Sequence, residues 1–110
     1  MKINLAPLFA LAVLALATTQ AGAQSLVDGS AEDGKSKALT CTACHGAEGN
    51  SANPLWPNIA GQHASYIETQ LNAFKSRDRQ DALMSAQAMM LSDEDVANLA
   101  VYFEGLAGAL

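Results

Sequence analysis

Basic residues are scarce in this chain: six Lys and Arg stand against eleven Asp and Glu among 110 residues, a formal net charge of −5. That shortage excludes the basic patches by which proteins hold nucleic acid or anionic lipid. Cysteine is nearly absent, with Cys41 and Cys44 the two present. A disulfide between them would close a tiny loop and stabilise little, so no disulfide framework staples the fold. Aromatic residues make up 5%. Beyond the N-terminal stretch no segment alternates apolar and polar side chains as a half-buried strand does, and no repeat or low-complexity tract appears. The long apolar run, residues 5–17, falls short of the roughly 20 residues that a membrane-spanning helix needs.

That run has a different meaning. Lys2 supplies a positive start, the apolar residues follow, and Ala21-Gly22-Ala23 offers the small-x-small cleavage pattern, which together read as a secretory signal peptide cleaved after Ala23. An uncleaved anchor is the competing reading, and the length of the run argues against it. Residues 24–110 are then one domain with one modest core, exported to the periplasm. Loss of Lys2 takes the formal charge from −5 to −6, a balance that suits partners with positive docking surfaces.

Cys41-Thr42-Ala43-Cys44-His45 is a C-x-x-C-H run. Two thiols three positions apart on one helical turn can each add to a vinyl group of the same porphyrin, and the next residue, His45, falls under the ring as the proximal iron ligand. A thioredoxin-like C-x-x-C would need a βαβ pattern, and a zinc site four ligands, for which only His63 and carboxylates remain. The expected cofactor is therefore one covalently bound haem c. Its second axial position decides between carrier and catalyst, and a thioether there holds the iron six-coordinate. The side chains available are Met84, Met89, Met90 and His63; Met at helical spacing is ordinarily core filler.

Along the domain, Ser30 or Asp28 caps a helix over residues 31–43, in which Gly34 costs roughly 1 kcal/mol relative to Ala and so implies close approach of another element. Residues 46–61, dense in Gly, Asn and Pro, form a loop whose Leu55, Trp56 and Ile59 are expected to face the haem or the core. A second helix covers 63–76 on the stripe Tyr66, Ile67, Gln70, Leu71 and Phe74. Lys75, Arg77 and Arg79 cluster at its C-terminal end, where cations are favoured, and read as a solvated helix end. A crossing segment over 78–91 holds the three candidate methionines. Ser92, with Asp95 at the third position, then caps a terminal helix with Val96, Leu99, Ala100, Tyr102, Phe103 and Leu106 on its apolar face. The domain is all-α.

From Gly34 to Leu106 the chain resembles class I cytochrome c, and most of all the single-haem bacterial members similar to one half of dihaem cytochrome c4. The stretches CTACHGAEGNSANPLWPNIAGQHASYIETQLNAFKSRDR and MSAQAMMLSDEDVANLAVYF carry the resemblance. It implies three main helices wrapped around one haem, with the terminal helices crossing at Gly34 and Tyr102 beside Leu99. It also implies Met84, eight residues before Ser92, as the axial methionine, and a Pro57 carbonyl that accepts a bond from His45. The resemblance further implies a periplasmic one-electron carrier cycling between Fe(II) and Fe(III), with other redox proteins as partners and no enzymatic activity of its own. A departure is the single C-x-x-C-H where dihaem relatives have two, which leaves monomer and homodimer both open. Two other readings stand beside the carrier. One is a haem enzyme or gas-binding protein with an open sixth position and His63 as distal base; the other is the small cytochrome subunit of a dehydrogenase complex.

Overall fold

The computed structural model describes residue 17 and residues 24–108; the signal peptide expected over 1–23 lies, Ala17 apart, outside the described residues. The described residues form five α-helices and no strand. Helix α1 spans Ala31–Lys37, and Ser30 caps it, its hydroxyl accepting the Asp33 N–H at 3.2 Å. Glu32 and Asp33 lie in the first turn and Lys35 and Lys37 in the last, each where the helix dipole favours its charge.

The single helix expected over 31–43 is in fact two. At Ala38 the N–H bonds back to the Lys35 carbonyl at 3.3 Å, a tightened turn, and α2 restarts over Leu39–His45. Ala38 is buried and adopts ordinary right-handed angles, so residue type announces no break there. What stops α2 is Gly46, at φ +85°, a conformation a side chain resists. A short 3-10 turn, Ala47–Gly49, follows.

The long loop is tied down from inside. Ile59 and Ala60 N–H groups donate to the Gly49 carbonyl at 2.9 and 3.1 Å, and Gly61 N–H donates to Phe103 O at 2.8 Å. Helix α3, Ala64–Ser76, has His63 at its N-cap without a side-chain bond. The free donor is met from another helix: Glu104 Oε1 accepts the Ala64 N–H at 3.0 Å. Helix α4, Ala82–Met89, starts at Asp81, whose Oδ1 accepts the Met84 N–H at 2.8 Å. Helix α5, Asp93–Glu104, opens on the full capping box of Ser92 and Asp95.

Helix α5 is the spine against which α1 and α3 pack, while α4 packs on α3. Leu99, Ala100 and Phe103 meet Val27, Ala38, Ala64 and Ile67 in the core. The α1–α5 crossing runs through Gly34, where an added Cβ would strike the Asn98 carbonyl and lie 2.7 Å from Tyr102 Cβ. This is the close approach that the helix cost of Gly34 implied. Asn98, itself buried, locks the crossing by accepting the Ser30 N–H on Oδ1 at 2.7 Å.

Candidate haem site

A cavity of about 600 Å³ opens between α2, the 55–59 loop, α3 and α4, within the size range of small-molecule and cofactor sites. Leu55, Ile59, Ile67, Leu71 and Leu99 give it an apolar wall. The break at Ala38 sets the direction of α2, and α2 brings Cys41, Cys44 and His45 to the cavity together.

Both cysteines are free thiols, Cys41 half-buried and Cys44 exposed. Burial, more than any other influence, pushes the Cys41 thiol above its ordinary pKa. Among the described residues no three His, Cys, Asp or Glu side chains gather into a metal site of their own, which argues against the zinc reading.

His45 is 8% exposed, and its Nδ1 lies 2.8 Å from the Pro57 carbonyl oxygen. A carbonyl can only accept, so the proton sits on Nδ1 and the lone pair on Nε2. The imidazole is thus fixed in orientation and tautomer, with the nitrogen that can bind a metal free of that bond. This donor set fits a haem better than any ligand lacking iron: two alkylatable thiols, an oriented imidazole and an apolar slot.

The structure separates the four side chains considered for the other face of the iron. Met84 is half-buried and lines the cavity. Met89 and Met90 are exposed, at 56% and 81%, and neither lines it. The His63 side chain is 86% exposed and faces Glu104, with Nδ1 3.9 Å from Oε1. Trp56 is half-buried at the cavity, whereas Leu55, expected to pack inward, is 81% exposed at the rim. Proline and asparagine turns hold that part of the chain away from the polypeptide core: Asn53 Oδ1 accepts the Leu55 N–H at 2.9 Å.

Arg79 is exposed, as a solvated helix end implies, yet it also reaches the cavity. It lines the cavity, with Nη1 donating to Gln70 Oε1 at 2.7 Å and the guanidinium 4.6 Å from the Phe74 ring centroid. Charge clustering alone gives no sign of this, because the left-handed turn at Arg77, φ +67°, is what swings the chain back.

The family described as Cytochrome c matches residues 31–107, from the first residue of α1 past the end of α5. The chain belongs to the cytochrome c family. Its cofactor is covalently attached haem c, and its activity is that of an electron carrier. Over 78 residues this cytochrome is 42% identical to cytochrome c-554(548) of Halomonas halodenitrificans, spanning 68% of its own length and 94% of that protein. It is 45% identical over 84 residues to cytochrome c4 of Thiocapsa roseopersicina, of which it covers 43%, so it spans less than half of that longer relative. The crystal structure of reduced cytochrome c4 from Pseudomonas stutzeri superposes with a TM-score of 0.72 at 35% identity, over 76% of this chain and 48% of that one. Both the all-α class and the resemblance to one cytochrome c4 domain are thereby established.

Proposed function

We propose that this cytochrome is a periplasmic monohaem one-electron carrier in which Cys41 and Cys44 form the two thioethers and His45 and Met84 ligate the iron. The observation that carries the reading is the cavity that Cys41, Cys44, His45 and Met84 share, with Met89, Met90 and His63 turned to solvent. The haem supplies a Fe(II)/Fe(III) couple. The chain does the rest. Pro57 holds the His45 ring at one angle and raises its basicity through the Nδ1–H bond. Leu71, Ile67 and Leu99 line the cavity and would exclude water from a haem bound there, while His45 and Met84 would hold it in both oxidation states with little rearrangement of the chain.

Its relatives are cytochromes c, and on that ground we assign it no enzymatic activity of its own. Export follows from the Lys2, apolar run and Ala21-Gly22-Ala23 sequence, with cleavage after Ala23. Covalent haem attachment in an exported protein fits the Gram-negative periplasm. No helix among the described residues is long and apolar enough to cross a membrane. Other redox proteins are the partners, with the chain as monomer or homodimer. The open-site alternative, haem enzyme or gas binder, loses its distal base because His63 points away from the cavity.

One second reading has a specific observation behind it. The cytochrome subunit of sulfide dehydrogenase from Chlorobaculum tepidum is 35% identical over 103 residues, 93% of each chain. A carrier that works as the small subunit of a dehydrogenase complex keeps the same ligands and differs only in partner; co-purification of a larger subunit from the native cell would identify it.

The oxidised holoprotein is expected to show the weak near-infrared band of sulfur-to-iron ligation and to lose it in Met84→Ala. A band that persists in that variant moves the ligand to Met89 or Met90, and rapid carbon monoxide binding by the unaltered protein would replace this proposal with an open site.

A further inference from the structure

Met89 ends α4 and Met90 caps it; both are exposed, and neither reaches the haem cavity. Their surroundings differ. Met89 lies in a second, open groove of about 530 Å³ together with Arg77, Gln80, Asp81 and Ser85, and Met90 is outside it. Within that groove Arg77 Nη2 donates to the Met89 sulfur at 3.9 Å.

The ion pairs among the described residues are Lys37 with Asp95, His63 with Glu104, and Lys75 with Asp93; Arg77 is in none of them. The one carboxylate of the groove, Asp81, is engaged with the Met84 N–H. A thioether is a weak acceptor, so a permanently charged fork of donors is poorly matched to it. The fork suits two other species at the same place: a peroxide being reduced against that sulfur, and the sulfoxide that results.

We propose that Met89 is a modification site for hydroperoxides, at which Arg77 promotes transfer of oxygen to the sulfur and then holds the sulfoxide. The inference goes beyond the carrier reading and rests on the part of it that keeps Met89 off the iron. A lone pair of Met89 Sδ attacks one oxygen of hydrogen peroxide, and the S–O bond forms as the O–O bond breaks. The proton of the transferred oxygen passes to the departing one, which leaves as water. The sulfur is oxidised by two electrons and the peroxide reduced by two. Negative charge gathers on the departing oxygen, where a guanidinium N–H stabilises it. The sulfoxide oxygen then accepts a charge-assisted bond in place of the weak one to sulfur, joining the end of α4 to Arg77, the residue that closes α3.

In the test, ferric holoprotein is treated with sub-stoichiometric hydrogen peroxide, and tandem mass spectrometry of the peptide carrying both methionines reads which gains oxygen first. Exposure alone, 56% against 81%, ranks Met90 ahead. Met89 is expected instead to lead several-fold. Arg77→Gly removes the guanidinium at a position whose φ of +67° glycine adopts freely, and in it Met90 is expected to lead. Hydrogen exchange of α4 is expected to slow several-fold in the singly oxidised protein and not in oxidised Arg77→Gly. Met90 leading in the unaltered protein, Met89 keeping its lead in Arg77→Gly, or exchange of α4 unchanged or faster after oxidation overturns the proposal. The sulfur-to-iron band tells these failures from a failure of the ligand assignment. Where Met84 holds the iron the band persists as Met89 gains oxygen; a band lost in step with that oxygen puts Met89 on the iron and overturns both readings.

Discussion

Asn98 illustrates how single side chains hold this molecule together. It is 6% exposed, and its Oδ1 accepts the Ser30 N–H at 2.7 Å, so the residue that caps α1 is itself fixed by α5. Truncation to Ala leaves a part-buried N–H without its partner and should cost about 1–3 kcal/mol, measured as a lower thermal midpoint of the holoprotein with its ligand bands unchanged. Nothing in the sequence pointed to Asn98, because a polar residue inside an apolar stripe has no periodic signature. The proposed haem ligands were a different matter. Cys41, Cys44 and His45 share a local spacing on one helical turn, which a sequence displays directly. Met84 would act across the fold, and among three methionines and a histidine no local rule separates it. Its side chain differs from Met89 and Met90 only in where α4 carries it, and resemblance, not periodicity, singled it out. Arg79 stayed hidden for the same reason, since its tethers Gln70 and Phe74 are nine and five residues away.

Whole elements were legible where their ends carry chemistry. Ser92 and Asp95 fixed the start of α5, Ser30 or Asp28 marked the start of α1, which the structure gives to Ser30, and the Gly34 penalty foretold a helix crossing. The break at Ala38 was not legible, since alanine is the best helix former and no cap residue marks the spot. The crossing predicts its own test: Gly34→Ala drives a methyl into the Asn98 carbonyl and should destabilise by roughly 2–3 kcal/mol, against the gain of about 1 kcal/mol that Ala brings to an unobstructed helix. A rise in thermal midpoint would mean that the helices do not touch there. Caps also set the response to acid. The Ser92 N–H, and after it the nearby Lys37, holds the Asp95 carboxyl below its usual pKa, and the Ser25 hydroxyl with the Ala64 N–H does the same for Glu104. A depressed carboxylate lends stability that is complete above the unfolded value, about 4, and is lost as pH falls through the folded one. Thermal midpoints should thus be flat from about pH 7 to 5 and fall below about 4, and Asp95→Asn should show a shallower acid fall from a lower plateau.

At the scale of the whole molecule, the protein core is thin for the work asked of it. Among the described residues four of the ten buried apolar ones are alanine, neither cysteine is in a disulfide, and a cavity of about 600 Å³ occupies the space where a domain of this size would place its large side chains. Left unfilled by haem, an apolar space of that volume would forfeit contacts along its entire lining. Small domains with deficient cores rely on a covalent or metal staple, and here the haem, held as proposed, would supply apolar bulk, two thioether links and iron ligation that ties α2 to α4. The α1–α5 crossing is complete without it, through Gly34, Asn98 and Leu99, whereas α4 packs chiefly on α3 and faces the cavity. Loss of the staple should therefore act unequally. The double variant Cys41→Ser, Cys44→Ser, which cannot form thioethers, is expected to keep part of its far-ultraviolet helix signal through α1 and α5, to bind a hydrophobic dye and to melt without a sharp transition. Hydrogen exchange should find α4 unprotected and α5 still slow. A cooperative melt in that variant, within about 5 °C of the holoprotein, a shift worth roughly 1 kcal/mol in a domain of this size, would mean that the polypeptide specifies the fold alone and that the cavity is a preformed receptacle.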